Sequence, residues 1–164
     1  MVEQIHAEID ILIEAEGWNG VAGLETLIRR AVMTALASVE DTEGARVSVL
    51  LTDDAAIQKL NAGFRGKNKP TNVLSFPAPE IPGDPEPMLG DLALAYETCA
   101  REAEEESKTI TDHLTHLVIH GTLHLLGFDH EEEAEAEEME ALETALLAGL
   151  GIADPYAEDR GQAA

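Results

Sequence analysis

Three histidines in the last third of the chain have the spacing of metal ligands. His120 and His124 lie four residues apart in an apolar segment, and His130 follows six residues later. Residues four apart on a helix project from one face about one turn apart, so two imidazoles at this spacing can share an ion. Gly127 is expected to end the helix in a left-handed conformation, which lets the chain turn back and bring His130 to the same ion.

This set of ligands predicts a catalytic metal. Three neutral imidazoles leave a fourth position open for water, and zinc held this way lowers the pKa of that water toward about 7. Imidazole also suits nickel, copper and iron, so zinc, at one ion per chain, is the leading prediction. We interpret His113 and His116 as surface groups or as groups that orient the ligands. Asp129 is interpreted as an orienting group or as a turn residue.

The same spacing occurs in metzincin proteases, whose motif is His-Glu-x-x-His-x-x-Gly-x-x-His. The glutamate of that motif is the general base beside the metal. Here the equivalent position is Gly121, so peptide hydrolysis by the same mechanism lacks its base. Met139 is not interpreted as a Met-turn, because it lies in a glutamate-rich segment that is predicted to be helical.

The charge of the chain is strongly negative and unevenly distributed. Ten basic and 33 acidic residues give a net charge of −23, which is a poor match to a polyanion if it is spread evenly. The glutamates concentrate in residues 102–106 and 131–143. Between Asp54 and Glu80 there is no acid, and this stretch carries four basic residues: Lys59, Arg65, Lys67 and Lys69. Charge alone does not distinguish a functional basic strip from a solvated basic turn.

Length and composition predict one cytoplasmic domain. The chain has 164 residues, of which 45% are hydrophobic, which suits a single packed core. The lone Cys99 cannot form an internal disulfide and is expected to be a small buried residue. The N-terminal residues lack the apolar run of a signal peptide, and no stretch reaches the ~18 apolar residues of a membrane helix. We expect a folded domain over residues 1–152 and a loose tail over residues 153–164.

The hydrophobic pattern predicts an α+β fold, in which a small mixed sheet of about four strands packs against several helices. The metal site would lie on a helix and the turn after it. The predicted strands are residues 5–13, 46–51, 73–76 and 91–95. The predicted helices are residues 21–36, 53–61, 96–126 with an interruption near Ser107, and 131–150, whose apolar face is Ala134, Met139, Leu142, Leu146 and Leu147.

Three blocks in this order resemble the YbeY family of bacterial rRNA maturation factors. The first runs from Phe64 to Pro77 (FRGKNKPTNVLSFP), the second is Gly90-Asp91-Leu92, and the third runs from His120 to His130 (HGTLHLLGFDH). The resemblance covers about residues 45 to 150 of the chain. It implies a single-strand-specific, metal-dependent endoribonuclease that acts in small-subunit rRNA 3′-end maturation and in ribosome quality control.

The resemblance also implies roles for particular residues. It implies zinc on the three histidines of the third block, and it carries over Arg65 as a residue important for catalysis. The basic strip lies where the family places residues that face the substrate. Arg65 would pair with a phosphate and stabilise the charge that develops during attack. Lys67 and Lys69 would hold flanking phosphates, or they are simply part of a solvated loop.

Some alternatives stay open at this point. The nucleophile is either water or the 2′-hydroxyl of RNA, and no residue is identified as the general base. The acidic helices predict weak, salt-sensitive binding to isolated RNA, with the small ribosomal subunit or ribosome-associated proteins supplying further affinity. Two other functions are considered: a metal-dependent peptidase or amidase, and a non-catalytic ribosome assembly factor with structural zinc.

Overall fold

A mixed four-stranded sheet forms the centre of the computed structural model, which describes residues 6–67, 69, 71–79, 82–83, 88–128 and 132–156. The strands are Ala7–Ile13 (β1), Ala45–Thr52 (β2), Val73–Pro77 (β3) and Met88–Ala95 (β4). They are ordered β1-β2-β4-β3 across the sheet. The strands β1, β2 and β4 run parallel, and β3 pairs antiparallel with β4 at one edge.

Five α-helices pack on the two faces of this sheet. They are Leu24–Ala37 (α1), Asp54–Arg65 (α2), Tyr96–Glu105 (α3), Ile110–Leu125 (α4) and Glu133–Gly149 (α5). The main core lies between one face of the sheet and the buried sides of α1, α4 and α5. A smaller cluster on the other face, made of Ile57, Leu74, Ala93 and Ala95, packs α2 against β3 and β4. The α+β class and the four-stranded mixed sheet are therefore confirmed.

The helix that carries Lys59 and Arg65 of the basic strip is longer than its pattern predicts. As expected it begins after Asp53, whose carboxylate accepts a hydrogen bond from Ala56 N at 2.8 Å. Phe64 and Arg65, which were expected in a loop, are its last two residues. The helix ends at Gly66, whose N–H still donates to Ala62 O at 3.2 Å. The helical hydrogen bonds thus continue past Asn61, where the predicted helix ends, and through Phe64, which lies four residues after Leu60 at helical spacing.

The interruption predicted near Ser107 is confirmed. Helix α3 ends at Glu105, and Ser107 adopts a positive φ of 56°. A new helix, α4, then begins after Thr109, whose hydroxyl accepts from Asp112 N at 3.1 Å and caps it. All four histidines between residues 113 and 124 consequently lie on one helix that crosses the core.

The acidic helix α5 buries a narrow stripe. Met139, Glu143 and Leu147, each four residues from the next, are buried, while Ala134, which was predicted on the apolar face, is exposed. Leu142 and Leu146 pack on the edge of the main core. None of the helices in the described part of the chain has the length and apolar character needed to cross a membrane.

The segment after α5 contacts that helix. Asp154 accepts hydrogen bonds from Thr144 Oγ1 at 3.3 Å and from Tyr156 N at 2.8 Å. The first residues of the predicted tail therefore lie against α5. The remainder of that tail, residues 157–164, is outside the described residues.

Candidate metal centre

Helix α4 places His120 and His124 side by side. Its apolar residues Leu117, Ile119 and Leu123 are buried in the core, which fixes the rotation of the helix. The Nε2 atoms of the two imidazoles lie 3.1 Å apart. Two nitrogen ligands at about 2.0–2.1 Å from a tetrahedral zinc are separated by about 3.3 Å. The spacing that the sequence predicts for two metal ligands is thus present in the fold.

The hydrogen bonds of the two rings orient their lone pairs toward each other. His124 Nδ1 lies 3.0 Å from the carbonyl oxygen of Phe128, and His120 Nδ1 contacts the carboxylate of Glu143. Both partners only accept hydrogen bonds, so each Nδ1 carries the proton and each Nε2 presents a lone pair. Two lone pairs that face each other at 3.1 Å repel each other, and a cation between them would remove this repulsion. The donor set therefore fits a metal ion at this position.

The turn after α4 supplies one of these hydrogen bonds. Gly127 has a φ of 102°, as predicted for the residue that ends the helix, and its N–H donates to His124 O at 3.0 Å. Phe128 N then donates to Leu123 O at 3.0 Å, which directs the carbonyl of Phe128 to the imidazole of His124. Asp129 and His130 lie outside the described residues, so the third ligand stays a prediction.

Glu143 is a site residue that the sequence analysis missed. Its side chain is buried, and it receives hydrogen bonds from His120, from His116 Nε2 at 3.4 Å and from the hydroxyl of Tyr156. Burial raises the pKa of this carboxyl, but these hydrogen bonds and the charge of His120 outweigh it and lower the pKa to about 2. Glu143 is therefore an ionised carboxylate behind the histidine pair.

A second grouping of possible ligands, His116, His120 and Glu143, overlaps the first. Here the carboxylate is in direct hydrogen-bond contact with His120 Nδ1, so both groups already satisfy each other. Glu143 also has no exposed surface, whereas His120 and His124 are partly exposed. The partial exposure of the two imidazoles therefore favours the His120–His124 pair as the candidate metal position.

Gly121 packs closely against side chains of the sheet, which would have to shift to admit a larger residue. A Cβ atom at this position would lie 2.8 Å from Leu92 Cδ2 and 3.2 Å from Ser75 Oγ. The side chain at residue 121 would thus point into the core, where β3 and β4 contact the helix. The glutamate of the metzincin motif would have to displace the side chains of Leu92 and Ser75 at this position.

The two upstream histidines occupy different environments. His113 is buried, and its Nε2 lies 2.9 Å from Glu102 Oε1 on α3. The same carboxylate oxygen accepts from Asn72 Nδ2 at 3.0 Å. His116 instead contacts Glu143, as described above. His113 thus connects α4 to α3 and to the start of β3, whereas His116 belongs to the surroundings of the candidate metal site.

The part of the basic strip that follows α2 is held by the side chain and the backbone of the buried Asn61. Asn61 Nδ2 donates to Lys69 O at 2.9 Å, and Lys67 N donates to Asn61 O at 3.2 Å. Both lysine side chains are exposed. Arg65 is the last residue of α2, and its side chain is outside the description. The strand that follows the turn reaches the histidine helix, because Ser75 Oγ donates to Gly121 O at 3.2 Å.

A separate groove of about 610 Å³ lies on the sheet face that carries α2. Its floor includes Leu50 and Phe76, and the exposed Phe64 stands at its side. Asp10 and Asp91 contribute its acidic edge. None of the described histidines lines this groove, so it is distinct from the candidate metal centre.

The α+β fold and the histidine pair together define a protein with a candidate metal centre. The family model described as endoribonuclease YbeY matches residues 13–151, and the chain therefore belongs to this family. The resemblance noted in the sequence is confirmed.

Relatives and one solved structure agree with this assignment. A protein of Nitrobacter winogradskyi named endoribonuclease YbeY is 53% identical, with 96% of this chain and 86% of the relative covered. One of Rhodopseudomonas palustris with the same name is 56% identical, with 92% and 82% covered. The solution structure of TM1509 from Thermotoga maritima is 30% identical, with a TM-score of 0.56 and 94% and 93% of the two chains covered.

Proposed function

We propose that this protein is a zinc-dependent, single-strand-specific endoribonuclease of the cytoplasm that acts in small-subunit rRNA 3′-end maturation and ribosome quality control. Family membership supports the endoribonuclease role. The observation that carries the metal dependence is the pair of Nε2 atoms 3.1 Å apart, with each Nδ1 engaged by an acceptor.

The histidine pair and the predicted third ligand His130 would hold the zinc ion. When bound, zinc acts as a Lewis acid and makes water ionise near neutral pH. The chain's own contribution is to orient the rings: Glu143 and the carbonyl of Phe128 each keep a proton on Nδ1, which leaves Nε2 available as a ligand. The two imidazoles are partly exposed, which would let a phosphodiester approach.

Residues of the basic strip would bind the RNA backbone. Arg65 would pair with the phosphate under attack, because its planar guanidinium can donate two parallel hydrogen bonds to phosphate oxygens. Lys67 and Lys69 would hold flanking phosphates without reading sequence. Their exposed side chains and their backbone, which Asn61 fixes, support this role. The net charge of −23 predicts that binding to free RNA is weak, so ribosome-associated proteins would add affinity.

Two other functions receive less support. A peptidase or amidase would need a general base, and the position that supplies it in metzincins is the closely packed Gly121. A non-catalytic assembly factor would use the zinc only for stability. The partly exposed His120–His124 pair favours a site that is open to a substrate.

The test is cleavage of a labelled single-stranded fragment of small-subunit rRNA by the purified protein. We expect cleavage that stops when a chelator is added and returns with zinc. His124→Ala removes one ligand and Arg65→Glu reverses the charge at the phosphate, so each is expected to lower the rate at least about 100-fold. Arg30→Glu makes the same charge change at an exposed position of α1 and should cleave like the wild type.

Each alternative predicts a different result. Cleavage that persists in both variants would indicate a contaminating nuclease and would favour the assembly factor. Cleavage of peptide substrates that is unaffected by Arg65→Glu would favour the peptidase. For the two lysines, Lys67→Gln with Lys69→Gln should reduce the salt dependence of RNA binding by about 0.7 in the logarithmic slope per lost phosphate contact. An unchanged slope would remove both lysines from the RNA contact.

A further inference from the structure

We propose that Glu143 is a positioning residue of the metal centre and that the segment after α5 holds it in place through Tyr156. This inference rests on the proposed metal at His120 and His124. It adds a residue outside the histidine motif and makes the C-terminal part of the fold a component of the site.

The burial of Glu143 is the first observation. Its side chain is fully buried, whereas most other glutamates of α5 are exposed. A buried carboxylate is unfavourable unless its oxygens receive hydrogen bonds. Glu143 receives three, from His120, His116 and Tyr156. A buried carboxylate with three hydrogen bonds, on a helix whose other glutamates are mostly exposed, indicates a specific task.

The partner atom on His120 defines that task. Glu143 Oε1 contacts Nδ1, the ring nitrogen that points away from His124. A carboxylate at this position keeps the proton on Nδ1, makes Nε2 the more basic nitrogen and restricts rotation of the ring. Removing such a carboxylate typically weakens metal binding by about 10- to 100-fold. For His124 the carbonyl of Phe128 has the same task without a charge.

Tyr156 and His116 hold the other carboxylate oxygen. The hydroxyl of Tyr156 donates to Glu143 Oε2, and His116 Nε2 lies 3.4 Å from the same atom. Tyr156 is itself held, since its backbone N–H and the hydroxyl of Thr144 both donate to Asp154. The C-terminal segment therefore orients the carboxylate that orients the ligand.

The experiment measures zinc affinity of the full-length protein by competition with a chromophoric chelator. Glu143→Gln keeps the size of the side chain but removes its charge, and we expect about 10- to 100-fold weaker binding. Tyr156→Phe removes one donor to the carboxylate, and we expect about three- to tenfold weaker binding. Glu138→Gln, at an exposed position of the same helix, and Tyr96→Phe are matched controls that should bind like the wild type.

Cobalt(II) distinguishes a positioning residue from a ligand. Its visible absorption reports the ligand set, so a positioning role predicts that Glu143→Gln changes the affinity and leaves the spectrum of the saturated protein unchanged. If Glu143 were a ligand, the spectrum would change in this variant, and His116→Ala would lose tight binding as well. That result would overturn the inference.

Failure of the inference and failure of the proposed function give different results. If His124→Ala loses tight zinc binding and Glu143→Gln binds like the wild type, the inference is wrong and the proposed ligands stand. If His124→Ala binds like the wild type, the proposed metal site itself is wrong. Should Glu143→Gln not fold, Tyr156→Phe decides the question, because wild-type affinity in that variant contradicts the role of the C-terminal segment.

Discussion

Helix α4 contributes His113 and His120, seven residues apart, to histidine–glutamate pairs that are built in opposite ways, with Glu102 on α3 and Glu143 on α5. In the pair His113–Glu102 the histidine side chain is 4% exposed and the carboxylate is 29% exposed. In the pair His120–Glu143 the histidine is 25% exposed and the carboxylate is fully buried. The first pair places its imidazole in the core, and the second directs its imidazole toward solvent. Contact between a histidine and a glutamate is thus insufficient to identify a metal site.

The surroundings of the two pairs explain their different tasks. His120 has His124 one turn further on, with the two Nε2 atoms facing each other. His113 uses its Nε2 for Glu102, and its buried Nδ1 has no partner among the described residues. Glu102 also binds Asn72, the residue before β3. We therefore interpret the His113–Glu102 pair as a structural connection and the His120–Glu143 pair as part of the candidate metal centre.

The largest difference between the pairs should appear in the response to zinc. At a free zinc concentration about 1,000 times its dissociation constant, binding raises the free energy of unfolding by about 4 kcal/mol. We expect this increment in the wild type and in His113→Ala, and its loss in His120→Ala. Urea unfolding with zinc and with a chelator measures it. If both variants lose the zinc-dependent increase in the free energy of unfolding, the two histidine–glutamate pairs do not have different tasks.

The second prediction concerns stability without metal. His113→Ala leaves Glu102 without one of its hydrogen bonds and opens space in the core, so we expect the free energy of unfolding to fall by about 2 kcal/mol. His6→Ala is the control, because His6 also contacts a glutamate, Glu43, but on the exposed surface. Urea unfolding in the presence of a chelator measures both. Equal effects of the two substitutions would contradict a structural role for His113.

Much of the fold could be predicted because periodicity reports which face of an element is buried. The predicted order of strands and helices and the interruption at Ser107 are confirmed. The strand order across the sheet was not predicted, because alternation of polar and apolar residues does not specify the partner strand. Helix α2 was predicted too short because the residues from Phe64 onward are rich in Lys, Gly and Asn, which favoured a loop, although Phe64 lies four residues after Leu60 at helical spacing.

The candidate site could be predicted only where its residues are close in sequence. His120 and His124 are recognisable by their spacing, whereas Glu143 is one of eight glutamates in residues 131–143. One signal was available: Glu143 lies midway between Met139 and Leu147, four residues from each, on the stripe that faces the core. An acid on an apolar stripe is a candidate for a buried, paired carboxylate. Its partner on another helix could not be identified without the fold.

The third prediction uses pH to test the structural pair. Burial raises the pKa of Glu102, but hydrogen bonds from His113 and Asn72 and the charges of His113 and Arg101 lower it below its ordinary value of 4.5. Because the folded-state pKa is depressed, the stabilisation is complete above about pH 4.5 and is lost as the pH falls through the folded-state value. The free energy of unfolding of the wild type should therefore be about 1 kcal/mol higher than that of Glu102→Gln at pH 7. This difference should become smaller as the pH falls.

Urea unfolding between pH 7 and pH 3, with a chelator present, measures this difference. Glu105→Gln, at an exposed position of the same helix, is the control and should follow the wild type at every pH. If the difference in the free energy of unfolding between wild type and Glu102→Gln grew toward low pH, its pH dependence would have the opposite sign. The ionised form of Glu102 would then be excluded as the stabilising form.

The smallest expected effect is a change in the KM for RNA when a residue beside the His113–Glu102 pair is replaced. Asn72 lies between the Lys67–Lys69 segment and β3 and contacts the structural pair, because its side-chain Nδ2 donates to Glu102 and its side-chain Oδ1 accepts from Val73 N at 2.6 Å. Asn72→Ala should loosen the turn that carries Lys67 and Lys69 and raise the KM for RNA by about three- to tenfold.

The rate constant kcat and the zinc affinity should stay within about twofold in this variant, since a change in KM alone reports binding that is equal in ground and transition states. Asn19→Ala, at an exposed position before α1, should change none of the three quantities. A fall in zinc affinity in Asn72→Ala would mean that the structural pair also acts on the metal centre. The two pairs would then form one network along α4 instead of two units with separate tasks.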